Sequence, residues 1–122
     1  MPRVLVVDDD PATRELLRDF LSSKQYDVSE AATGGEGLRR LREDRPHLVL
    51  LDINLPDLQG LEVLRQAKEI DPAVAVIMVT GIREEEVGRE ALQAGAFDYI
   101  VKPLDLQYLE KSLWYKITTM TL

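Results

Sequence analysis

The chain reads as an α/β domain in which a five-stranded parallel sheet is doubly wound, with helices on both faces, as five βα units. Three observations predict this. Short apolar runs alternate with helical patterns five times along the chain. The runs Val4–Val7, Leu48–Leu51 and Ala75–Thr80 are almost wholly apolar, as strands covered on both faces are. The 122 residues, 45% of them hydrophobic, suffice for one core and one domain.

The candidate strands follow in order as Val4–Val7, Asp27–Ala31, Leu48–Leu51, Ala75–Thr80 and Asp98–Val101. Asp27-Val28-Ser29-Glu30 alternates polar and apolar, which places the second strand at an edge. With right-handed crossovers, that edge fits the order 2-1-3-4-5 of flavodoxin-like sheets. Asp10 can cap the first helix, with Pro11 at its opening position. Thr33 and Glu36 have capping-box spacing for the second helix, and Gly95 supplies a stop for the fourth.

The fourth helix starts at Glu84-Glu85-Glu86, which suits the helix dipole, but it carries Gly88 inside and is predicted to be the least rigid. In the last helix Leu106, Leu109, Leu113 and Ile117 form an inward stripe, which pushes Tyr108, Trp114 and Tyr115 toward other faces. Residues Thr118–Leu122 read as a frayed end. Residues 1–122 are read as one unit without an effector domain, since no Gly/Ser linker or repeat interrupts them.

Composition narrows the function classes. With 15 basic against 22 acidic residues and a net charge of -7, nonspecific attraction to nucleic acid or anionic membrane is disfavoured. The lack of cysteine removes disulfides, thiolate metal sites and cysteine nucleophiles, and is compatible with a cytoplasmic location. No apolar run approaches the roughly 20 residues of a membrane span, and Val4–Val7 is too short for a signal-peptide core.

In open parallel sheets, ligands bind outside the carboxyl ends of the strands. There the sequence places Asp8 and Asp9 after the first strand, Asp52 after the third, Thr80 at the end of the fourth and Lys102 after the fifth. Three converging carboxylates repel unless a cation sits among them. All-oxygen ligands favour Mg²⁺, with Mn²⁺ able to substitute and a main-chain carbonyl after Asp52 as an extra ligand. A carboxylate beside such an ion is a competent nucleophile toward phosphorus. Lys102 and Thr80 can then pair with phosphoryl oxygens. Read singly, Asp8-Asp9-Asp10 is more readily a solvated turn with a helix cap; the shared rim reverses this and carries the functional reading.

The motifs Val6-Val7-Asp8-Asp9-Asp10-Pro11, Leu51-Asp52-Ile53-Asn54-Leu55-Pro56 with Gly60, Val79-Thr80-Gly81, and Ala94–Tyr99 with Lys102-Pro103 resemble those of the receiver domains of two-component response regulators. The resemblance runs over nearly the whole chain. It implies that Asp52 takes a phosphoryl group from the phosphohistidine of a sensor histidine kinase or phosphotransfer protein. It also implies that Asp8, Asp9, Asp52 and the Asn54 carbonyl hold Mg²⁺, with Asp8 acting mainly through ligated water, and that Thr80 and Tyr99 form the switch pair. The surface switched is that of the fourth helix, fifth strand and fifth helix, through which a homodimer could form. Lys102-Pro103 is expected to be cis, and Gly81 departs from the alanine more usual in the family. The implied protein is a signalling switch, not an enzyme with its own substrate.

Asn54 and Ile82, two positions beyond Asp52 and Thr80, should border the path of the water that hydrolyses the acyl phosphate, and Ile82 is predicted to slow it. Trp114 and Tyr115 are either ordinary helix surface or part of an interface. His47 lies at the opposite rim and is assigned no chemistry. Two other functions compete. A haloacid dehalogenase-like Mg²⁺-dependent phosphatase expects a second acid two residues beyond the nucleophile, where this chain has Asn54. A flavin or nucleotide module expects a glycine-rich loop after the first strand, where Asp8-Asp9-Asp10 stands.

Overall fold

The computed structural model describes residues 1–120. Its elements are β1 (Arg3–Val7), α1 (Pro11–Ser23), β2 (Asp27–Ala31), α2 (Gly34–Asp44), β3 (Leu48–Leu51), α3 (Gly60–Ile70), β4 (Ala75–Thr80), α4 (Glu85–Gln93), β5 (Asp98–Val101) and α5 (Leu106–Thr119). The strands pair in parallel in the order β2-β1-β3-β4-β5, as the sequence predicts. β1 begins one residue earlier than its apolar run, because Arg3 pairs with Asp27 at the end of the ladder. A strand needs hydrogen-bond partners, and a polar side chain at its mouth does not exclude them.

Successive residues of the buried strands serve opposite faces. Leu5 and Val7 join Leu38, Leu41, Val63, Leu64, Ala67 and Ala91 on the side covered by α2, α3 and α4. Val4 and Val6 join Leu17, Leu21, Leu109 and Leu113 on the side covered by α1 and α5. All six residues of β4 are buried, whereas β2 exposes its start and buries fully only Ala31.

Local signals set the helix ends. Asp10 caps α1, accepting from the Ala12 N–H at 3.0 Å and the Thr13 hydroxyl at 3.1 Å. Thr33 caps α2 by accepting from the Glu36 N–H at 3.1 Å, while no bond returns from the Glu36 side chain, so only half of the capping box forms. Gly95, at φ 106°, terminates α4 in a conformation that glycine adopts without strain. α4 is the shortest helix and buries fully only Ala91.

In α5, Leu109 and Leu113 are fully buried and Leu106 and Ile117 pack partly beside them, while Tyr108, Trp114 and Tyr115 are exposed. Thr118 and Thr119 belong to this helix, contrary to the frayed end expected from the sequence. Their hydroxyls donate to the carbonyls of Tyr115 and Lys116, each at 2.9 Å, which holds the last turn. Of the expected tail, residues 121–122 lie outside the described residues.

Candidate functional site

The backbone ladder continues one step past three strand ends and so fixes the rim. The Asp8 N–H donates to the Ala31 carbonyl at 3.1 Å, that of Asp52 to Val7 at 3.0 Å, and that of Lys102 to Thr80 at 2.8 Å. Sheet geometry therefore brings together residues far apart in sequence before any side chain interacts.

Asp8, Asp9 and Asp52 each present a carboxylate oxygen within 4.8 Å of the others. Asp8 and Asp52 are only 2% and 6% exposed, whereas Asp9 faces solvent. The Lys102 ammonium donates to Asp8 Oδ2 at 2.8 Å and to Asp52 Oδ2 at 3.2 Å. Asp8 Oδ1 accepts from the Asp10 N–H at 2.9 Å, and the Arg14 guanidinium donates to the Asp8 main-chain carbonyl at 2.6 Å.

Burial pushes the Asp8 carboxyl above its ordinary value, and the bonds from Lys102 and Asp10 offset this only in part. Burial alone would lower Lys102, but the bonds to Asp8 and the nearby charge of Asp52 outweigh it and hold the ammonium above its usual range. The pair is unequal because one lysine serves two carboxylates. One ammonium cannot balance three carboxylates, so the cluster retains an excess of negative charge on an all-oxygen donor set. That chemistry suits a hard divalent cation.

The loop from β3 to α3 closes tightly around Asp52. The Asn54 N–H lies 3.3 Å from Asp52 Oδ1, and the Gly60 N–H donates to the Ile53 carbonyl at 2.8 Å. A Cβ at Gly60 would stand 2.3 Å from the Asp52 carbonyl oxygen, so only glycine fits there. Asn54 itself is exposed and carries no acid, which gives the phosphatase alternative no support.

Thr80 is fully buried at the end of β4, and its hydroxyl accepts a long bond from the Ile82 N–H at 3.4 Å. Among the described residues, no hydrogen bond joins that hydroxyl to Asp52 or Lys102. The Tyr99 hydroxyl donates to the Ile82 carbonyl at 2.9 Å, and its ring faces α4 where Gly88 lacks a Cβ. Burial, then the charge of Asp52, raises the Tyr99 phenol above its ordinary value. Thus Thr80 and Tyr99 meet at one residue, Ile82, which is half-buried against the core. Lys102-Pro103 is cis, as expected.

Two residues that shape the rim were not singled out in the sequence. Arg14 holds the Asp8 backbone, and Asp57 ties the loop after Asp52 to α2 by accepting from Gly34 and Gly35. The Gly34-Gly35 pair directly after a capping threonine was the available signal. His47 lies away from the rim and accepts from the Arg3 N–H at 2.9 Å, a structural part. Trp114 and Tyr115 line a cleft of about 850 Å³ with Phe97, Asp98, Tyr108 and Ser112, against α5 and away from the carboxylates. Among the described residues, no helix is long and apolar enough to cross a membrane.

Known proteins resemble this chain in sequence and fold. The sequence profile of the response regulator receiver domain matches residues 4–113. The chain is 34% identical over 116 residues to the chemotaxis protein CheY of Bacillus subtilis, covering 91% of this chain and 97% of that one. It is 36% identical over 110 residues to the transcriptional regulatory protein ZraR of Salmonella typhimurium, covering 90% of this chain but only 25% of that longer relative. A CheY-like receiver domain protein from Methanospirillum hungatei superposes with a TM-score of 0.89 at 36% identity, over 98% of this chain and 99% of that one. The CheX-CheY-BeF3-Mg complex from Borrelia burgdorferi matches at a TM-score of 0.91 and 28% identity, over 95% of this chain and 89% of that one. The chain belongs to the response regulator receiver domain family.

Proposed function

We propose that residues 1–122 act as one phosphoryl-accepting receiver unit, in which Asp52 takes a phosphoryl group from the phosphohistidine of a sensor histidine kinase or phosphotransfer protein. The observation that carries this reading is the Lys102 ammonium shared between Asp8 and Asp52. A cation donor held by the carboxylate that is to be modified is already placed to receive a phosphoryl oxygen.

Asp8, Asp9, Asp52 and the main-chain carbonyl of Asn54 would hold Mg²⁺, or Mn²⁺ in its place. The bound ion supplies neutralisation of charge on the phosphoryl oxygens. A carboxylate oxygen of Asp52 forms the new O–P bond as the N–P bond breaks, and the bonding pair returns to the imidazole nitrogen. Lys102 moves its hydrogen bond from the carboxylate to a phosphoryl oxygen. The Thr80 hydroxyl, which among the described residues holds only the weak bond from Ile82, turns to another. Tyr99 is coupled to that movement through the Ile82 carbonyl.

The surface of α4, β5 and α5 is then the output face, engaging a protein partner or a second copy of the chain. The acidic balance and the exposed aromatics there favour protein over nucleic acid, and a cytoplasmic switch is the setting that fits. Incubation with Mg²⁺ and acetyl phosphate tests the reading. One phosphoryl group should be gained by the wild type and none by Asp52→Asn.

A further inference from the structure

We propose that Asp57 is a positioning residue for the cation site, clamping the β3–α3 loop to the N-terminus of α2 and thereby fixing the Asn54 main-chain carbonyl relative to Asp9 and Asp52. The proposal rests on the reading of Asn54 as a ligand given above. Asp57 lies five residues beyond Asp52 in a loop whose tip is exposed. Its Oδ1 accepts from the Gly34 N–H at 2.8 Å and its Oδ2 from the Gly35 N–H at 2.9 Å, so both oxygens are used across to α2. Oδ1 also accepts from the Leu58 N–H at 2.9 Å, within the loop itself.

The α2 side is shaped for this contact. A Cβ at Gly34 would approach Val63 Cγ2 to 2.8 Å and Leu58 Cβ to 3.1 Å, and one at Gly35 would stand 3.2 Å from Asp57 Oδ2. Two consecutive glycines let the loop sit against the helix end, where free N–H groups and the helix dipole favour a carboxylate. These N–H bonds also keep the Asp57 carboxyl below the ordinary range, so it stays ionised and the clamp stays closed at neutral pH.

Besides Asp57, a few contacts hold the loop. At its base the Gly60 N–H closes on Ile53, and Leu55 and Leu58 pack partly against the core. Asn54 pairs with Gln59 across the loop, so a shift of the tip at Asp57 is carried back to Asn54 through that bridge. Thr33 caps the same helix through the Glu36 N–H, and among the described residues its hydroxyl makes no hydrogen bond to the loop, which gives a control for helix stability.

The test measures Mn²⁺ binding directly, from the loss of the free-ion electron paramagnetic resonance signal, on the unphosphorylated full chain well below its melting transition. Asp57→Ala should weaken Mn²⁺ binding about tenfold, equivalent to about 1.4 kcal/mol. Asp57→Asn, which keeps one acceptor, should fall between it and the wild type, and it carries the test if the alanine variant does not fold. Thr33→Ala should leave the affinity unchanged while lowering the melting temperature. The loss at Asp57 should persist in molar salt, where the Debye length is about 3 Å and a distant charge is screened. Affinity unchanged in both Asp57 variants, or a loss that disappears in salt, overturns the positioning role while leaving the receiver reading intact. A wild-type chain that binds no Mn²⁺ overturns the cation site itself, and this role with it.

Discussion

The Lys102 ammonium lies 2.8 Å from Asp8 Oδ2 and 3.2 Å from Asp52 Oδ2, joining residues 94 and 50 positions away in sequence. It neutralises one charge of a cluster that holds three. Replacing it with a neutral side chain, as in Lys102→Met, leaves two buried carboxylates without a counter-ion. The variant should lose about 3 kcal/mol of stability without divalent cation, the lower end for breaking a buried pair. Mg²⁺ should raise its melting temperature more than that of the wild type. Thermal unfolding with and without Mg²⁺ checks both.

For the wild type, saturating Mg²⁺ at a hundred times its dissociation constant should add about 2.7 kcal/mol, and a chelator should remove it. Asp8→Asn and Asp9→Asn should reduce this gain, each by withdrawing a carboxylate from the cluster. Melting curves across a Mg²⁺ titration give the answer.

Much of this was legible in the sequence, for physical reasons. Strands buried on both faces leave continuous apolar runs, so Leu48–Leu51 and Ala75–Thr80 have the same bounds in sequence and structure. In a parallel sheet all strand ends lie on one rim, so Asp8, Asp52 and Lys102 could be grouped without coordinates. Asp57 was harder to find, because its partners are backbone N–H groups of a helix 23 and 22 residues earlier, and the Gly34-Gly35 pair that admits it does not name the carboxylate it receives. The Tyr99 bond to the Ile82 carbonyl was hidden for the same reason. The expected frayed end starts too early because a short chain end gives no sign in sequence of where its helix stops, and the backbone ladder of α5 runs on to the Met120 N–H, which donates to the Lys116 carbonyl at 3.1 Å.

Two glycines should respond in opposite ways. Gly60→Ala forces a Cβ to 2.3 Å from the Asp52 carbonyl and 2.4 Å from Ile53 Cα, backbone that cannot yield, and should cost about 3 kcal/mol. Gly88→Ala places its Cβ 3.7 Å from the Tyr99 ring, an ordinary contact, and should stabilise α4 by about 1 kcal/mol. Urea unfolding midpoints of the two variants compare them.

His47 accepts from the Arg3 N–H through Nδ1, which requires the ring nitrogen to be unprotonated. Burial, then the charges of Arg3 and the N-terminus, lowers its pKa in the folded chain below the ordinary 6.5. The unfolded chain therefore binds the proton first, and stability falls as pH drops from neutral through about 6.5 toward the lower folded value. His47→Gln should flatten this limb of the stability curve, measured by urea midpoint against pH. A limb equally steep in the variant would assign the loss to other groups.

Ile82 stands where Thr80 and Tyr99 converge, half-buried just past the end of the strand that carries Thr80. Its apolar side chain should hinder the water that attacks the acyl phosphate in line. Ile82→Ala and Ile82→Glu should each shorten the phosphoryl lifetime several-fold, followed as loss of the phosphorylated mass after donor removal. An unchanged lifetime in both would rule out the screen.

The central claim is that Asp52 receives the phosphoryl group. After reaction with acetyl phosphate and Mg²⁺, borohydride reduction converts a phosphorylated aspartate to homoserine, and peptide mass mapping locates it. The account predicts homoserine at position 52 in the wild type, dependent on the divalent cation and absent from Asp52→Asn. Homoserine at position 8 or 9 instead, or none under conditions where Mg²⁺ is bound, would contradict it.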